Sequence, residues 1–403
     1  MKLLIITSCY PGYHYNFYNK HPGLKSKTFA EQKSVLDYDA FGWADFWSIA
    51  LVPLGYDVIE VTLNANYMQN AWMQEYARPN KRQVALQEIA LAQVKHHKPD
   101  ILWYDHSDCE LLSQIRSEVP SLRLVIGWTG SAIPVNDAWR HMDVVLSCAD
   151  ESVEKLRENG IHSEQLHHGF DPRINDRLQV SEKHINFSFI GQLVRSSQFH
   201  LEREQLLLAL ARQTGINIFS PSAELGVMDD LRSLVMLAFW KLNYVCNRFH
   251  VPETLIGKIP LLNRVSKWHS SPLRPVNSDL KPYIQPGVYG LDMFQVLHDS
   301  KIVLNVHADS SPRFASNMRL FETTGVGTCM LVDWKENLKN LFDIDREVVT
   351  YKSADECIEK VKWLMDHPAE REAIAKAGQR RTLAEHTYSS RAIAFDHLIS
   401  SLL

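Results

Sequence analysis

Lys2-Leu-Leu-Ile-Ile-Thr-Ser-Cys-Tyr10, followed at once by Pro11-Gly12, is the stretch that decides the fold class. Its apolar residues run without alternation. A strand with one wet face alternates apolar and polar side chains, whereas a strand covered on both faces is apolar throughout. The segment therefore reads as a strand inside a parallel sheet. Outward from it the same signature returns at 56–63, 100–104, 122–128 and 144–148. Helical spacing fills the gaps. One helix is expected over 41–54, closed by Gly55, which suits the left-handed residue past a helix C-terminus. Another is expected over about 82–96, with Leu86, Ile89, Ala90 and Val94 on one stripe. Buried strands alternating with amphipathic helices predict an α/β fold with a doubly wound parallel sheet.

The pattern then restarts. Strands are expected at 185–191, 216–219, 301–306 and 328–332, with helices at 202–214, 316–324, 354–366 and 369–384. A chain of 403 residues is too long for one compact α/β unit. It suits two domains of about 150–200 residues. We place the first at 1–172 and the second at 173–384, with the boundary in the polar stretch 172–184 and a last helix, 385–403, returning to the first domain. Residues 225–285 interrupt the second unit with an apolar-basic insertion. It runs Leu231-Arg-Ser-Leu-Val-Met-Leu-Ala-Phe-Trp-Lys241 and continues through Arg248, Lys258, Arg264, Lys267, Trp268 and Arg274.

Composition narrows the function classes. The formal net charge is −4 with no block of one sign, which gives nucleic-acid binding no electrostatic support. The six cysteines form no Cys-x-x-Cys pair, which argues against a zinc ribbon or a disulfide framework. The N-terminal apolar run stops at Thr7, too short for a signal peptide, and no segment reaches the ~18 apolar residues of a membrane span. A reducing cytosolic setting is the expectation. No Gly-x-Gly-x-x-Gly follows the first strand, against a nicotinamide dehydrogenase. No strand-end loop carries a convincing Asp-x-Asp, against a metal-dependent transferase.

Three ordered motifs fill the C-terminal third. They are Tyr289-Gly-Leu-Asp-Met-Phe-Gln-Val-Leu-His-Asp-Ser-Lys-Ile-Val-Leu-Asn-Val-His307, Asn317-Met-Arg-Leu-Phe-Glu-Thr-Thr-Gly-Val-Gly-Thr328 and His386-Thr-Tyr-Ser-Ser-Arg391. Together they resemble the C-terminal domain of the "glycosyl transferases group 1" superfamily, within it the subgroup typified by the spore-maturation protein CgeB. The resemblance covers about 285–392; the first half is similar only in outline. It implies a GT-B fold, two Rossmann-like doubly wound domains facing a central cleft, with the nucleotide sugar on the second. It also implies a donor substrate in place of any cofactor, and no metal.

The resemblance assigns donor contacts. In similar enzymes a glutamate at the position of Glu322 accepts hydrogen bonds from the two ribose hydroxyls, and a carboxylate's two oxygens match two vicinal donors. The competing reading is an i,i+3 pair with Arg319. The diphosphate needs amides and positive charge, which the segment 309–315 and the following Ser316, Asn317 and Arg319 offer. Related transferases also carry a basic residue after the strand 185–191. Arg195 and Arg203 are the candidates here, beside Gly191. Retaining relatives place a second glutamate eight residues before the ribose-binding one. That position is Phe314 here, so the contact of that carboxylate to the donor sugar is missing or rebuilt, and retaining and inverting outcomes both stay open.

Glycosyl transfer also asks for a group that takes the acceptor proton. Trp103-Tyr-Asp-His-Ser-Asp108 lies at a strand's C-terminal edge, and similar enzymes keep a histidine in this loop. His106 is the first candidate, with Asp105 and Asp108 next; the alternative is helix capping. His14, in the loop expected over 11–15, is either a base or packed among tyrosines. The aromatic run 41–47 either includes an acceptor contact, with Asp45 as the polar candidate, or packs its aromatic rings in the core. Trp128 and Thr129 sit in a further cleft-edge loop. The predicted partners are a nucleotide sugar and a glycan, lipid-linked or small-molecule hydroxyl acceptor, in bacterial surface polysaccharide or glycoconjugate synthesis. The insertion 225–285 docks on the inner face of a membrane, or packs on the second domain or a second copy. A GT-B sugar-nucleotide epimerase and a non-catalytic sugar-nucleotide-binding subunit are the rival functions.

Overall fold

A computed structural model describes residues 1–77, 84–130, 133, 137–193, 200–225, 227–248, 262, 277–308 and 311–403. The first domain is one parallel sheet of six strands: β1 (Lys2–Thr7), β2 (Asp57–Thr62), β3 (Ile101–Tyr104), β4 (Leu124–Thr129), β5 (Val144–Ser147) and β6 (Ser163–Gln165). Their spatial order is β2-β1-β3-β4-β5-β6. The second domain repeats the scheme with β7 (Ile185–Ile190), β8 (Asn217–Phe219), β9 (Ile284–Gln285), β10 (Ser300–Asn305), β11 (Cys329–Asp333) and β12 (Val349–Tyr351), ordered β12-β11-β10-β7-β8-β9. Counted from β7 this is the 3-2-1-4-5-6 order of dinucleotide-binding domains. Strand β1 is buried on both faces, as its unbroken apolar run requires: Leu3, Leu4, Ile5 and Ile6 are all in the core.

In each sheet the chain winds one way and then the other, leaving a crevice where the direction changes. That point lies between β1 and β3 in the first sheet and between β7 and β10 in the second. The domains set these two crevices face to face.

The last helix, Tyr388–Leu402, packs on the first domain. The ring of Phe395 stacks on Trp103 at 5.2 Å, and Tyr56 Oη donates to Asp396 at 2.8 Å. Burying one such phenylalanine contributes about 1.5–3 kcal/mol. At its start Tyr388 N donates to Phe170 O at 3.1 Å, and Phe170 N donates to His386 O at 2.9 Å. The chain therefore crosses between domains twice at one place.

Three local expectations change. The stretch 11–15 is not a loop but the start of a helix, Pro11–Lys20, with Pro11 preset for the first turn and Tyr13, Phe17 and Tyr18 buried. The helix expected over 41–54 is shorter, Phe46–Leu51, because Ala40, Gly42 and Ala44 all take positive φ. The helix expected from 316 begins at Arg319. Helices Phe29–Tyr38 and Asn66–Trp72 and the edge strands β6, β9 and β12 were not anticipated. In the insertion a helix spans Val227–Arg248; most of the rest lies outside the described residues.

Candidate active site

The two crevices open into one cavity of about 480 Å³. The first domain supplies Thr7 to Tyr10 after β1, Phe41 to Trp43, Asp105 after β3, Trp128 and Gly130 at β4, Cys148 and His168. The second supplies Phe189 to Gly191 at the end of β7, Arg203, Met293, Asn305 and Val306 at the end of β10, Ser316 to Arg319, and Glu322. Both walls thus draw on the C-terminal edges of the strands that flank a change of winding, β1 and β3 on one side and β7 and β10 on the other, with β4 and β5 extending the first wall.

On the second wall Glu322 is 8% exposed. Arg319 Nη1 lies 2.8 Å from its Oε2, one turn earlier on the helix Arg319–Gly325. The ion pair read from the i,i+3 spacing therefore exists, and it exists inside the cavity. Burial raises the Glu322 carboxyl above its usual range, and Arg319 opposes the rise. Arg203 is buried as well. Its guanidinium donates to Gln192 O at 3.0 Å and to Val306 O at 2.8 Å, and lies over the Phe189 ring. It ties the ends of β7 and β10 together at the crevice. Asn317 is spent on structure: its amide exchanges hydrogen bonds of 2.7 and 3.0 Å with Asn305. Ser316 and Gly191 line the cavity. Arg195 lies outside the described residues.

The loop before Ser316 is held from the other domain. Glu151 Oε1 accepts the backbone N–H of Arg313 at 2.8 Å and of Phe314 at 2.9 Å. Its Oε2 accepts from Ser311 Oγ at 3.3 Å. The amides expected to meet the diphosphate are therefore partly capped by a first-domain carboxylate.

On the first wall Asp105 faces the cavity and accepts no hydrogen bond from a described side chain. Burial pushes its carboxyl up to about 7. His106, one residue on, lies past the end of β3 like Asp105, its ring 5.3 Å from that of Tyr104. It lies outside the cavity lining, with Nε2 3.2 Å from Ser8 Oγ. Burial lowers its pKa. Asp108 caps the helix Cys109–Glu118, accepting from Leu111 N at 3.0 Å, the alternative its sequence allowed. His14 is buried on the helix Pro11–Lys20 with Nε2 3.0 Å from Asn64 Oδ1. An amide oxygen only accepts, so the imidazole proton sits on Nε2. Burial keeps the ring neutral, and Asn64 also holds Cys9 N at 3.0 Å. His14 thus props the loop after β1 and does not line the cavity.

Asp45 is engaged elsewhere, paired with Arg173 at 2.7 and 3.0 Å while Arg173 also binds Asp171. Trp128 lines the cavity and Thr129 is buried beside it. Tyr10, Cys148 and His168 are cavity residues that sequence reasoning missed, and Trp43 belongs to the aromatic run that was offered either to the acceptor or to the core. The ring of His168 stands 5.4 Å from Trp128, and burial lowers its pKa to about 3. Nothing in the local sequence of Trp43 distinguishes it from the core rings Phe46 and Trp47.

Comparison with known proteins agrees with this architecture. Residues 246–396 match the family described as glycosyl transferase-like. No curated protein matches the sequence. Among solved structures the chain is similar to Anabaena HepE in complex with UDP-glucose, at 10% identity over 100% of both chains with a TM-score of 0.53. It is similar to a sucrose-phosphate synthase from Thermosynechococcus elongatus, at 10% identity over 100% of this chain and 99% of that one, TM-score 0.52. A glycosyltransferase from Rickettsia africae matches at 8% identity over 100% and 98%, TM-score 0.53. Identities this low speak to fold. The chain has the GT-B fold of glycosyltransferases, and its C-terminal third is similar to the glycosyl transferase-like family.

Proposed function

We propose that this protein is a glycosyltransferase that moves a sugar from a nucleoside diphosphate sugar to an acceptor hydroxyl. The observation that carries the reading is the single cavity at both crevices, with Glu322, Arg319 and Arg203 on one wall and Asp105 on the other. The Anabaena neighbour with UDP-glucose bound has the same fold. Glu322 takes the ribose hydroxyls with its free acceptor capacity. Arg203 and Arg319 meet the charge on the departing diphosphate, where buried cations act most strongly. No metal enters the scheme. Asp105 takes the acceptor proton as the acceptor oxygen bonds to the anomeric carbon and the bond to the diphosphate oxygen breaks. A carboxyl with a pKa near 7 suits this task at neutral pH. With Phe314 where retaining relatives place a carboxylate, a base on the opposite wall favours inversion.

The test is product analysis with a panel of nucleotide sugars and glycosyl acceptors in the presence of a chelator. One donor should be consumed, with transfer to acceptor and inverted anomeric configuration. Asp105→Asn should slow transfer by about 10²-fold or more. Consumption of no donor ends the proposal, and isomerised donor without acceptor points to an epimerase.

The insertion supports an acceptor held at an anionic membrane, in keeping with surface-glycan or glycoconjugate synthesis. The helix Val227–Arg248 exposes Met228, Leu231, Leu242 and Val245 among Arg232, Lys241 and Arg248. Between 231 and 275 the sequence holds seven basic residues and one acidic residue, Glu253. Such a face adds apolar burial to electrostatic attraction. No helix among the described residues is long and apolar enough to cross a membrane. Vesicles with anionic lipid should carry the protein upward in flotation at low salt; no flotation at low salt excludes the contact.

A further inference from the structure

The stretch 40–44 turns on alternate left-handed residues: Ala40 at φ 59°, Gly42 at 70° and Ala44 at 45°. Alanine has no intrinsic preference for that region, because its Cβ crowds the backbone there. Two alanines held so within five residues are strained, and such strain collects where a side chain must be presented. What the turn presents is Trp43. It lines the cavity beside Trp128, the two rings edge to face at 5.1 Å.

Behind them lies a rigid aromatic bed. Trp43 packs on Trp103 at 5.0 Å and Trp47 at 6.3 Å. Trp103 and Trp47 are 0% and 1% exposed. The front pair is only partly buried, so the cavity edge of an otherwise closed cluster is left open. The cavity brings Asp105 to the same wall. Trp103 pairs with Ile126 and Tyr104 with Gly127, where the ladder ends; Asp105 is the first residue after β3, Trp128 continues β4 on the face of Ile126, and both line the cavity.

Partly open indole rings beside a cavity carboxyl match one class of ligand. A pyranose presents an apolar face of C–H bonds that lies on indole rings, and a rim of hydroxyls that a carboxylate can meet. We infer that Trp43 and Trp128 form an acceptor subsite for a saccharide, which lies on the indoles and offers a hydroxyl to Asp105. This rests on the glycosyl-transfer reading. It goes further in making the accepting residue a sugar ring, not a serine, a phenol or a bare lipid alcohol.

The experiment uses the full chain with UDP added and a panel of methyl pyranosides, read by saturation-transfer NMR. At least one pyranoside should receive saturation, strongest on the C–H protons of one ring face. The signal should fall about tenfold in Trp43→Ala and in Trp128→Ala, with partial recovery in Trp43→Phe, which restores a flat ring. Nucleotide affinity of each variant, measured separately, shows whether the second domain is intact. If wild type binds no nucleotide, the glycosyl-transfer reading fails. If it binds nucleotide but contacts no pyranoside, or the contact survives both alanine variants, the saccharide subsite is wrong while the donor site stands.

Discussion

Asp39 and Gly290 meet so closely across the domain interface that a Cβ on Gly290 would lie 2.1 Å from Asp39 Oδ2. Gly290 also holds φ at 55°, and Asp39 Oδ1 accepts the next amide, Leu291 N, at 3.3 Å. A first-domain carboxylate therefore seats on the N-terminus of the helix Gly290–Asp299, where the dipole favours it.

Gly290→Ala meets two obstacles at once, the left-handed backbone and the carboxylate. It should lower stability by about 2–4 kcal/mol in denaturant unfolding. Small-angle scattering should show a more open molecule. Adding Asp39→Ala should return part of the loss, a coupling that independent sites do not show. Additive effects would mean the contact does not hold the domains together.

Asp105 gives a pH signature. Its carboxyl is raised to about 7 in the fold, and burial is the cause. As a base it works ionised, so kcat/KM should rise with pH and level off above about 7. Asp105→Asn should erase that limb. Stability runs the other way. A raised carboxyl pKa favours the protonated fold, so its contribution is present below about 4 and is lost as pH climbs through about 7. Asp105→Asn should therefore raise the melting temperature at about pH 8 and change it little at about pH 4. An unchanged melt at the higher pH would show that the carboxyl is not desolvated.

Glu151 makes a separate forecast. It caps two consecutive amides of the loop that leads to Ser316. Removing it exposes them, at a cost of about 1–3 kcal/mol. Hydrogen exchange at Arg313 and Phe314 should quicken about tenfold or more in Glu151→Ala. It should quicken less in Glu151→Gln, whose amide oxygen still accepts. Equal exchange in wild type and alanine variant would show that the bridge is not populated in solution.

The legible parts of the sequence were those where burial leaves a periodic mark. Strands β1 and β3 stood out because parallel strands covered on both faces are apolar with little break, and β10 shows the same in its Ile302–Leu304 core. Strands β6 and β9 are three and two residues long at sheet edges and leave no such run. The helix Pro11–Lys20 was hidden because Pro11-Gly12 also spells a turn. Glu322 was found through a motif, and the cavity holds it. In the segment 103–108 the sequence favoured His106, whereas Asp105 lines the cavity; both lie beyond the end of β3, so strand period does not choose between them. The position of Trp43 was not legible either, because left-handed alanines have no sequence signal.

Glu322 carries the central claim, that a nucleoside diphosphate sugar is held in the cleft by this carboxylate. Its Oε2 forms an ion pair with Arg319 Nη1 at 2.8 Å, and no hydrogen bond from another described side chain reaches it. Calorimetric titration of the intact chain with nucleoside diphosphates and their sugars, with chelator present, measures this directly. The account predicts saturable binding of at least one, weakened by about tenfold to a hundredfold in Glu322→Gln, which keeps the shape and removes the charge. Binding of equal strength in wild type and Glu322→Gln, or none to folded wild type, would contradict it.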